Sequence, residues 1–223
     1  MDLSSFSPAS ALLTVVILAL APFVAVMVTS FTKIVVVLSL LRNALGIQQI
    51  PPNVVLNGFA LILTVYVMFP VGNAMYAEFE GNEDLEIDGT EALLDAAASV
   101  KEPLRDFLLA HSAEREREFF LGTVRRLAER TGDTGLDPES LDTRDFIVVI
   151  PAFTVAELTA AFQIGFLIFL PFIVIDLVIS NILMAMGMMM LSPTIVSLPF
   201  KLLLFVLIDG WTRLAHGLVL SYL

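Results

Sequence analysis

Long stretches without a charged residue restrict this chain to folds that place apolar helices in a membrane or an apolar assembly. Residues 9–29 and 54–75 contain no Asp, Glu, Lys or Arg, which gives stretches of 21 and 22 residues. A helix of that length is roughly 31 Å long, enough to cross the hydrocarbon core of a bilayer. Two further apolar stretches, residues 147–191 and 198–223, contain few charges. We therefore expect an all-α integral membrane protein.

The charged residues are concentrated between these two pairs of apolar stretches. Residues 76–146 hold 19 of the 23 acidic and 8 of the 12 basic residues, so this region accounts for the formal net charge of −11. We predict an apolar helical hairpin over residues 1–75, an acidic, water-facing and mostly helical insert over 76–146, and a second apolar hairpin over 147–223. An acidic insert repels phosphate, which argues against nucleic-acid binding.

Prolines within the apolar stretches predict hairpins that are kinked rather than straight. Each proline removes one helical hydrogen bond and clashes with the preceding turn. Because 45 residues are too many for one upright span, we expect helix breaks at the two prolines within residues 147–191. We expect the kinks at Pro22, Pro70, Pro151 and Pro171.

The distribution of basic residues predicts an orientation in the membrane. Residues 30–53 are interpreted as the connector between the first two spans and carry Lys33 and Arg42, while Lys201 lies between the last two spans. Basic connectors are typically cytoplasmic, which would place both termini and the insert on the other side. The N-terminal residues lack Lys and Arg, so we expect no cleavable signal and a retained first apolar stretch.

Six ionisable residues interrupt or border the apolar stretches, where an isolated charge needs a partner or an aqueous path. We favour an ion pair between Glu157 and Lys201, within one copy or between copies, because Glu157 lies in the middle of its stretch. Alternatively, these residues only anchor helix ends at the lipid headgroups. The six are Lys33, Arg42, Glu157, Asp176, Lys201 and Asp209.

The same residues allow an enzymatic alternative that their sequence context does not favour. Asp176 and Asp209 lie in separate apolar stretches and could form an aspartyl dyad whose carboxylates share a proton. Asp209 follows Ile and precedes Gly, however, without the Gly-x-Gly-Asp arrangement of intramembrane aspartyl proteases. The chain has no Cys, and His111 and His216 are isolated, so we expect no metal site and no cofactor.

Five of the nine methionines lie within seven residues, around Gly187. Methionine is unbranched and flexible, so a ring of these side chains from several copies could fill a narrow axial hole and yield to a passing molecule. Ordinary packing in lipid is the alternative. Three consecutive methionines before a chain reversal are more specific than a methionine-rich helix. The five are Met184, Met186, Met188, Met189 and Met190.

Six segments carry a family resemblance: 30–46 (SFTKIVVVLSLLRNALG), 51–53 (PPN), 161–166 (AFQIGF), 186–190 (MGMMM), 198–202 (LPFKL) and 209–211 (DGW). Together they resemble the SctR/FliP family, whose members are core export-gate subunits of bacterial type III secretion systems and flagella. The resemblance covers both apolar arms in order and leaves out the acidic insert. Two further segments, 48–52 and 196–200, are more similar to the injectisome (virulence) branch, with the flagellar branch as the alternative.

The resemblance implies an assembly rather than an enzyme. Family members form a pentameric ring with SctS- and SctT-type subunits, and SctU- and SctV-type subunits are further expected partners. This portal passes unfolded proteins across the bacterial inner membrane, and the insert would be periplasmic. The resemblance also implies that Met188, Met189 and Met190 form a gasket around the pore and that Glu157 and Lys201 are the paired charges.

Two expectations qualify this interpretation. The family's gate is a helical stack of kinked hairpins raised toward the periplasm, so we expect simple transmembrane placement of the four stretches to hold only in part. An independent transporter of small solutes is a further alternative, and it would need a midplane site, typically built from internal repeats. The two arms show no convincing repeat, and the methionine cluster has no counterpart in the first arm.

Overall fold

The computed structural model describes residues 8–47, 49–80, 101–131, 139–188 and 190–223. These residues form helices and the loops between them, without a strand in these ranges, so the all-α prediction is confirmed. In chain order the helices are α1 (Pro8–Met27), α2 (Phe31–Leu45), α3 (Asn53–Glu80), α4 (Lys101–Ala110), α5 (Glu114–Thr131), α6 (Phe146–Ala185), α7 (Pro193–Leu207) and α8 (Gly210–Leu220).

Helix α2 lies at the centre of the packing, which corrects its interpretation as a connector. Its apolar residues recur at intervals of three and four, so they share one face of the helix. Gly46 follows the helix in the left-handed conformation, with a φ of 74°, which glycine adopts without steric cost. The shared face is buried among α3, α6 and α7 and consists of Ile34, Val37, Leu38, Leu41, Ala44 and Leu45.

Helix α6 runs without interruption for 40 residues, which corresponds to about 60 Å at 1.5 Å per residue. The breaks predicted at Pro151 and Pro171 are therefore wrong, because both prolines lie inside this helix. A proline inside a helix costs roughly 3 kcal/mol, and tertiary packing around it offsets that cost. Buried neighbours supply the packing: Val148, Val149, Ala152 and Phe153 beside the first proline, and Phe172 beside the second.

Two helices in the described ranges are long and apolar enough to cross a membrane, namely Asn53–Glu78 within α3 and Phe146–Ala185. Helices α7 and α8 would add a third span if taken as one, but they are bent by 60° where they meet. Gly210 permits their close packing at the bend, because a Cβ there would lie 2.1 Å from Cε2 of Phe205. The last apolar stretch is therefore two helices that meet at a bend rather than one straight span.

Helices of the predicted insert pack on the long helices. Helix α5 lies against α6, and α4 lies against α3 and α6. Helix α3 continues to Glu80, beyond the predicted start of the insert. The three-part division of the chain stays a prediction, and residues 81–100 and 132–138 lie outside the described ranges. One core cluster joins α4 to α6 and to the α1–α2 connection: Phe107, Leu108, Val149, Phe153 and Val28.

Helices α2 and α6 approach closely at Gly165. A Cβ built on Gly165 would lie 2.2 Å from Cδ1 and 3.2 Å from Cβ of Leu40. We predict that Gly165→Ala forces the two helices apart and destabilises the protein by about 1–3 kcal/mol. The measurement is the thermal unfolding midpoint of the purified protein in detergent, and adding Leu40→Ala should recover part of the loss.

The matched control for this substitution is Gly58→Ala in α3, where no atom lies within 4 Å of the built Cβ. That change should be neutral or stabilise α3 by up to about 1 kcal/mol, since alanine favours a helix over glycine. Equal midpoints for the two alanine variants would show that α2 and α6 are not in close contact at Gly165.

Candidate functional site

A buried ion pair joins α2 to α6. The Lys33 Nζ atom lies 3.2 Å from Oε1 of Glu157, and the two side chains are only 5% and 3% exposed. Lys33 is in the first turn of α2, and Glu157 is in the first third of α6. Breaking a pair with so little access to water is costly, because removal of one partner leaves the other charge buried without compensation.

Tyr222, just beyond the end of α8, completes this charged cluster. Its hydroxyl donates a hydrogen bond to Oε2 of Glu157 and lies 3.4 Å from the backbone carbonyl oxygen of Ser30. Its ring lies beneath the Lys33 ammonium, with Nζ 3.5 Å from the ring centroid. Burial, followed by the neighbouring carboxylate, raises the pKa of the Tyr222 hydroxyl above its usual value. The phenol therefore stays protonated and remains a donor.

A second ion pair lies at the opposite end of α2. Lys201 of α7 places Nζ 2.6 Å from Oδ2 of Asp176 in α6 and donates a hydrogen bond to the carbonyl oxygen of Ala44, at 3.2 Å. The Ser197 hydroxyl donates to the other oxygen of Asp176, at 2.5 Å. Because carbonyls at a helix C-terminus carry partial negative charge, the Lys201 ammonium also stabilises the end of α2.

The predicted pair between Glu157 and Lys201 does not form within one chain. Glu157 contacts the first turn of α2 at Lys33, whereas Lys201 contacts its last turn at Ala44. Eleven residues of helix separate these positions by about 16 Å, so each charge uses a nearer partner. A contact between Glu157 of one copy and Lys201 of another stays a prediction.

The other two predicted charges occupy different environments. Arg42 is half-buried and donates from Nη1 to Oδ1 of Asn53 at 2.5 Å and to the carbonyl oxygen of Pro51 at 3.4 Å, so it fixes the loop between α2 and α3. Asp209 is exposed at the bend between α7 and α8, with a φ of 52°. In the described ranges, no group of three or more His, Asp or Glu side chains is placed to hold a metal ion.

Met186, Met188 and Met190 lie in the loop that joins α6 to α7, whereas Met184 is in the last turn of α6. Gly187 turns the chain there with a φ of 72°. Met188 is 42% exposed and Met190 is fully exposed, while Met189 lies outside the described residues. Within one copy these thioethers therefore have little to pack against, and they are available to lipid or to another subunit.

Sequence reasoning did not single out Tyr222 or Ser197, and it did not connect Lys33 with Glu157. Two signals were present for the missed contacts. Tyr222 is a polar aromatic residue near the end of the last apolar stretch. Ser197 lies four residues before Lys201, so Ser197 and Lys201 share a helix face. Neither signal identifies the partner, which depends on how α2, α6 and α7 pack.

Comparison with known proteins gives matches along most of the chain. Residues 12–218 match the model of the FliP family. The chain is 54% identical over 208 residues to "Yop proteins translocation protein R" of Yersinia pestis, with 92% of each chain covered. It is 50% identical over 218 residues to "Hypersensitivity response secretion protein HrcR" of Ralstonia nicotianae, with 96% of this chain and 97% of the relative covered. It is 40% identical over 206 residues to "Surface presentation of antigens protein SpaP" of Salmonella typhimurium, with 92% of each covered.

Different ion pairs lie at the two ends of α2, and this arrangement predicts which second substitution restores the stability lost in a Glu157 variant. Glu157→Gln leaves the Lys33 ammonium buried without an anion and should destabilise the protein by about 3–5 kcal/mol. Adding Lys33→Met removes that ammonium and should recover most of the loss, measured as the thermal midpoint and the yield of folded protein.

The matched control adds Lys201→Met to Glu157→Gln instead. Because Lys201 is paired with Asp176, this second change should lower the midpoint further. Recovery with Lys201→Met, and none with Lys33→Met, would contradict the pairing observed within the chain and favour a Glu157–Lys201 contact between copies.

Proposed function

Because the chain belongs to the FliP family, we propose that it is a core subunit of the export gate of a type III secretion system, of the injectisome branch. The observation that carries this proposal is the family match, which extends over both apolar arms and the helices between them. Relatives named for Yop translocation and for hypersensitivity-response secretion match nearly the whole chain, and these names favour an injectisome over a flagellum.

The protein is a membrane component of a multi-subunit secretion apparatus. Within that apparatus we infer a pentameric ring of this chain that joins SctS- and SctT-type subunits, with SctU- and SctV-type subunits alongside. Apolar surface exposed on a single copy must be covered by lipid or by neighbouring subunits, and the proposed ring would cover part of it. On α6, for example, Phe162, Phe166 and Leu167 are 60%, 62% and 65% exposed.

The portal would pass unfolded polypeptides, and the loop between α6 and α7 would close it. Met188, Met189 and Met190 would meet their counterparts from other copies on a shared axis. The exposure of Met188 and Met190, next to the turn at Gly187, supports this role, because flexible thioethers can seal a hole at rest and rearrange around a passing chain.

We propose the bacterial inner membrane as the location, with the region 76–146 on the periplasmic side. This orientation rests on the family resemblance more than on the distribution of basic residues. Lys33 and Lys201 are buried in ion pairs, so they are not available as cytoplasmic anchors at the lipid headgroups.

No observation favours the two alternative functions over the gate. Asp176 is bound to Lys201 and Ser197, whereas Asp209 is exposed at the bend between α7 and α8. The two carboxylates therefore lie in different environments and do not form a dyad that shares a proton. An independent transporter would not need to match this family over residues 12–218. We therefore propose a non-enzymatic role.

The gasket role predicts a change in resting leakage. Replacing Met188, Met189 and Met190 with glycine removes the side chains proposed to occupy the axis. Ion conductance of membranes that contain the assembled, resting gate should rise, while the amount of assembled complex stays the same. Replacing the same three residues with leucine retains apolar side chains of similar volume and should keep the conductance low. Conductance that is unchanged by the glycine variant would remove the gasket role.

The proposed assembly predicts the size of the purified protein. Extracted in mild detergent together with its partner subunits, the chain should elute as a ring-sized complex, measured by light scattering with correction for detergent. A particle of 24.4 kDa, the mass of one chain, would contradict the gate.

A further inference from the structure

We propose that Tyr222 is a positioning residue that couples helix α4 of the insert to the buried Lys33–Glu157 pair. One side of this residue contacts the charges, and the other side contacts α4. All of these contacts lie within a single chain, so they do not depend on whether the chain forms an export gate.

The polar side of Tyr222 fixes both members of the ion pair. Its hydroxyl donates to the Glu157 oxygen that does not contact Lys33, so the two oxygens of the carboxylate are held by different donors. The ring face lies 3.5 Å from the Lys33 ammonium, in the geometry of a cation–π contact. Glu157 therefore cannot turn its carboxylate without breaking a contact to Tyr222.

The aromatic side of Tyr222 is held by α4 and by the residue that follows it. The Phe107 ring is stacked on the Tyr222 ring at a centroid distance of 6.1 Å, and the His111 ring lies 5.1 Å away. His111 Nδ1 is 2.8 Å from the carbonyl oxygen of Phe107, which fixes the imidazole at the end of the helix. The Phe107 ring in turn packs against the Phe153 ring of α6, with the two centroids 5.7 Å apart.

The tyrosine ring is rigid, so these two sets of contacts move together. A shift of α4 displaces the ring and, with it, the hydroxyl that holds Glu157. In the described ranges the buried Ser30 Oγ makes no hydrogen bond, so it does not hold Glu157, although the Ser30 carbonyl oxygen lies near the Tyr222 hydroxyl. Loss of the hydroxyl would leave the Glu157 oxygen without that donor.

Two variants separate the hydroxyl from the ring. The chain has no Cys, so Ala113→Cys, exposed just beyond α4, gives a unique site for a nitroxide spin label. Tyr222→Phe keeps the ring and should leave the mobility of the label unchanged while lowering the thermal midpoint by about 3–6 °C. Tyr222→Ala removes both contacts, so the rotational correlation time of the label should shorten about twofold and the midpoint should fall further.

The matched control is Tyr66→Phe, at a tyrosine that is 69% exposed, and it should change neither measurement. If Tyr222→Ala cannot be purified, His111→Ala keeps the hydroxyl and removes one aromatic contact, and it should also increase the mobility of the label. A label that is equally immobile in Tyr222→Ala, or in His111→Ala where that variant replaces it, would show that α4 is not held by Tyr222.

A double-mutant cycle tests the action of Tyr222 through Glu157. Together, Tyr222→Phe and Glu157→Gln should lower the thermal midpoint by less than the sum of their separate shifts. Both substitutions disrupt the same hydrogen bond, from the Tyr222 hydroxyl to Glu157. Tyr66→Phe with Glu157→Gln should be additive. Additive shifts for Tyr222→Phe and Glu157→Gln would overturn the proposed positioning role.

Discussion

A buried ammonium group requires an anion wherever its helix packs, and Lys33 imposes this requirement on α2. Its partner, Glu157, lies near the start of a helix that is about 60 Å long, so the pair fixes the point along α6 at which α2 begins its contact. Breaking such a pair costs about 3–5 kcal/mol, a large part of the 5–15 kcal/mol by which proteins are typically stable. Other positions of α2 along α6 are therefore strongly disfavoured.

The remaining contacts of α2 build on that position. The absence of a side chain at Gly165 brings α6 close to Leu40, and the ammonium of Lys201 binds the last turn of α2. Because Lys201 is also paired with Asp176 of α6, the same contact closes the hairpin of α6 and α7. The loop between α6 and α7, which contains Met188 and Met190, is thus positioned relative to α2 by the contacts of Lys201, which lies outside the loop.

The sequence predicts the features that follow from local patterns. The all-helical class, the helical character of the insert and the chain reversal after the methionine cluster depend on apolar periodicity, on proline and on glycine. The position of α2 in the core was missed, because Lys33 and Arg42 near its ends suggested a connector between two spans. The partner of Glu157 could not be predicted either, since it is set by which helices meet and at what height. The same holds for Tyr222, which is 65 residues from Glu157 along the chain.

The length of α6 has a consequence for biogenesis. An apolar helix about twice as long as the hydrocarbon core of a bilayer is thick cannot be covered by lipid alone while it stands upright. A newly made copy must tilt, or else cover the surplus with other helices, as α4 and α5 do within the single chain. A copy whose surplus apolar surface stays uncovered would be prone to aggregation and to proteolysis in the cell.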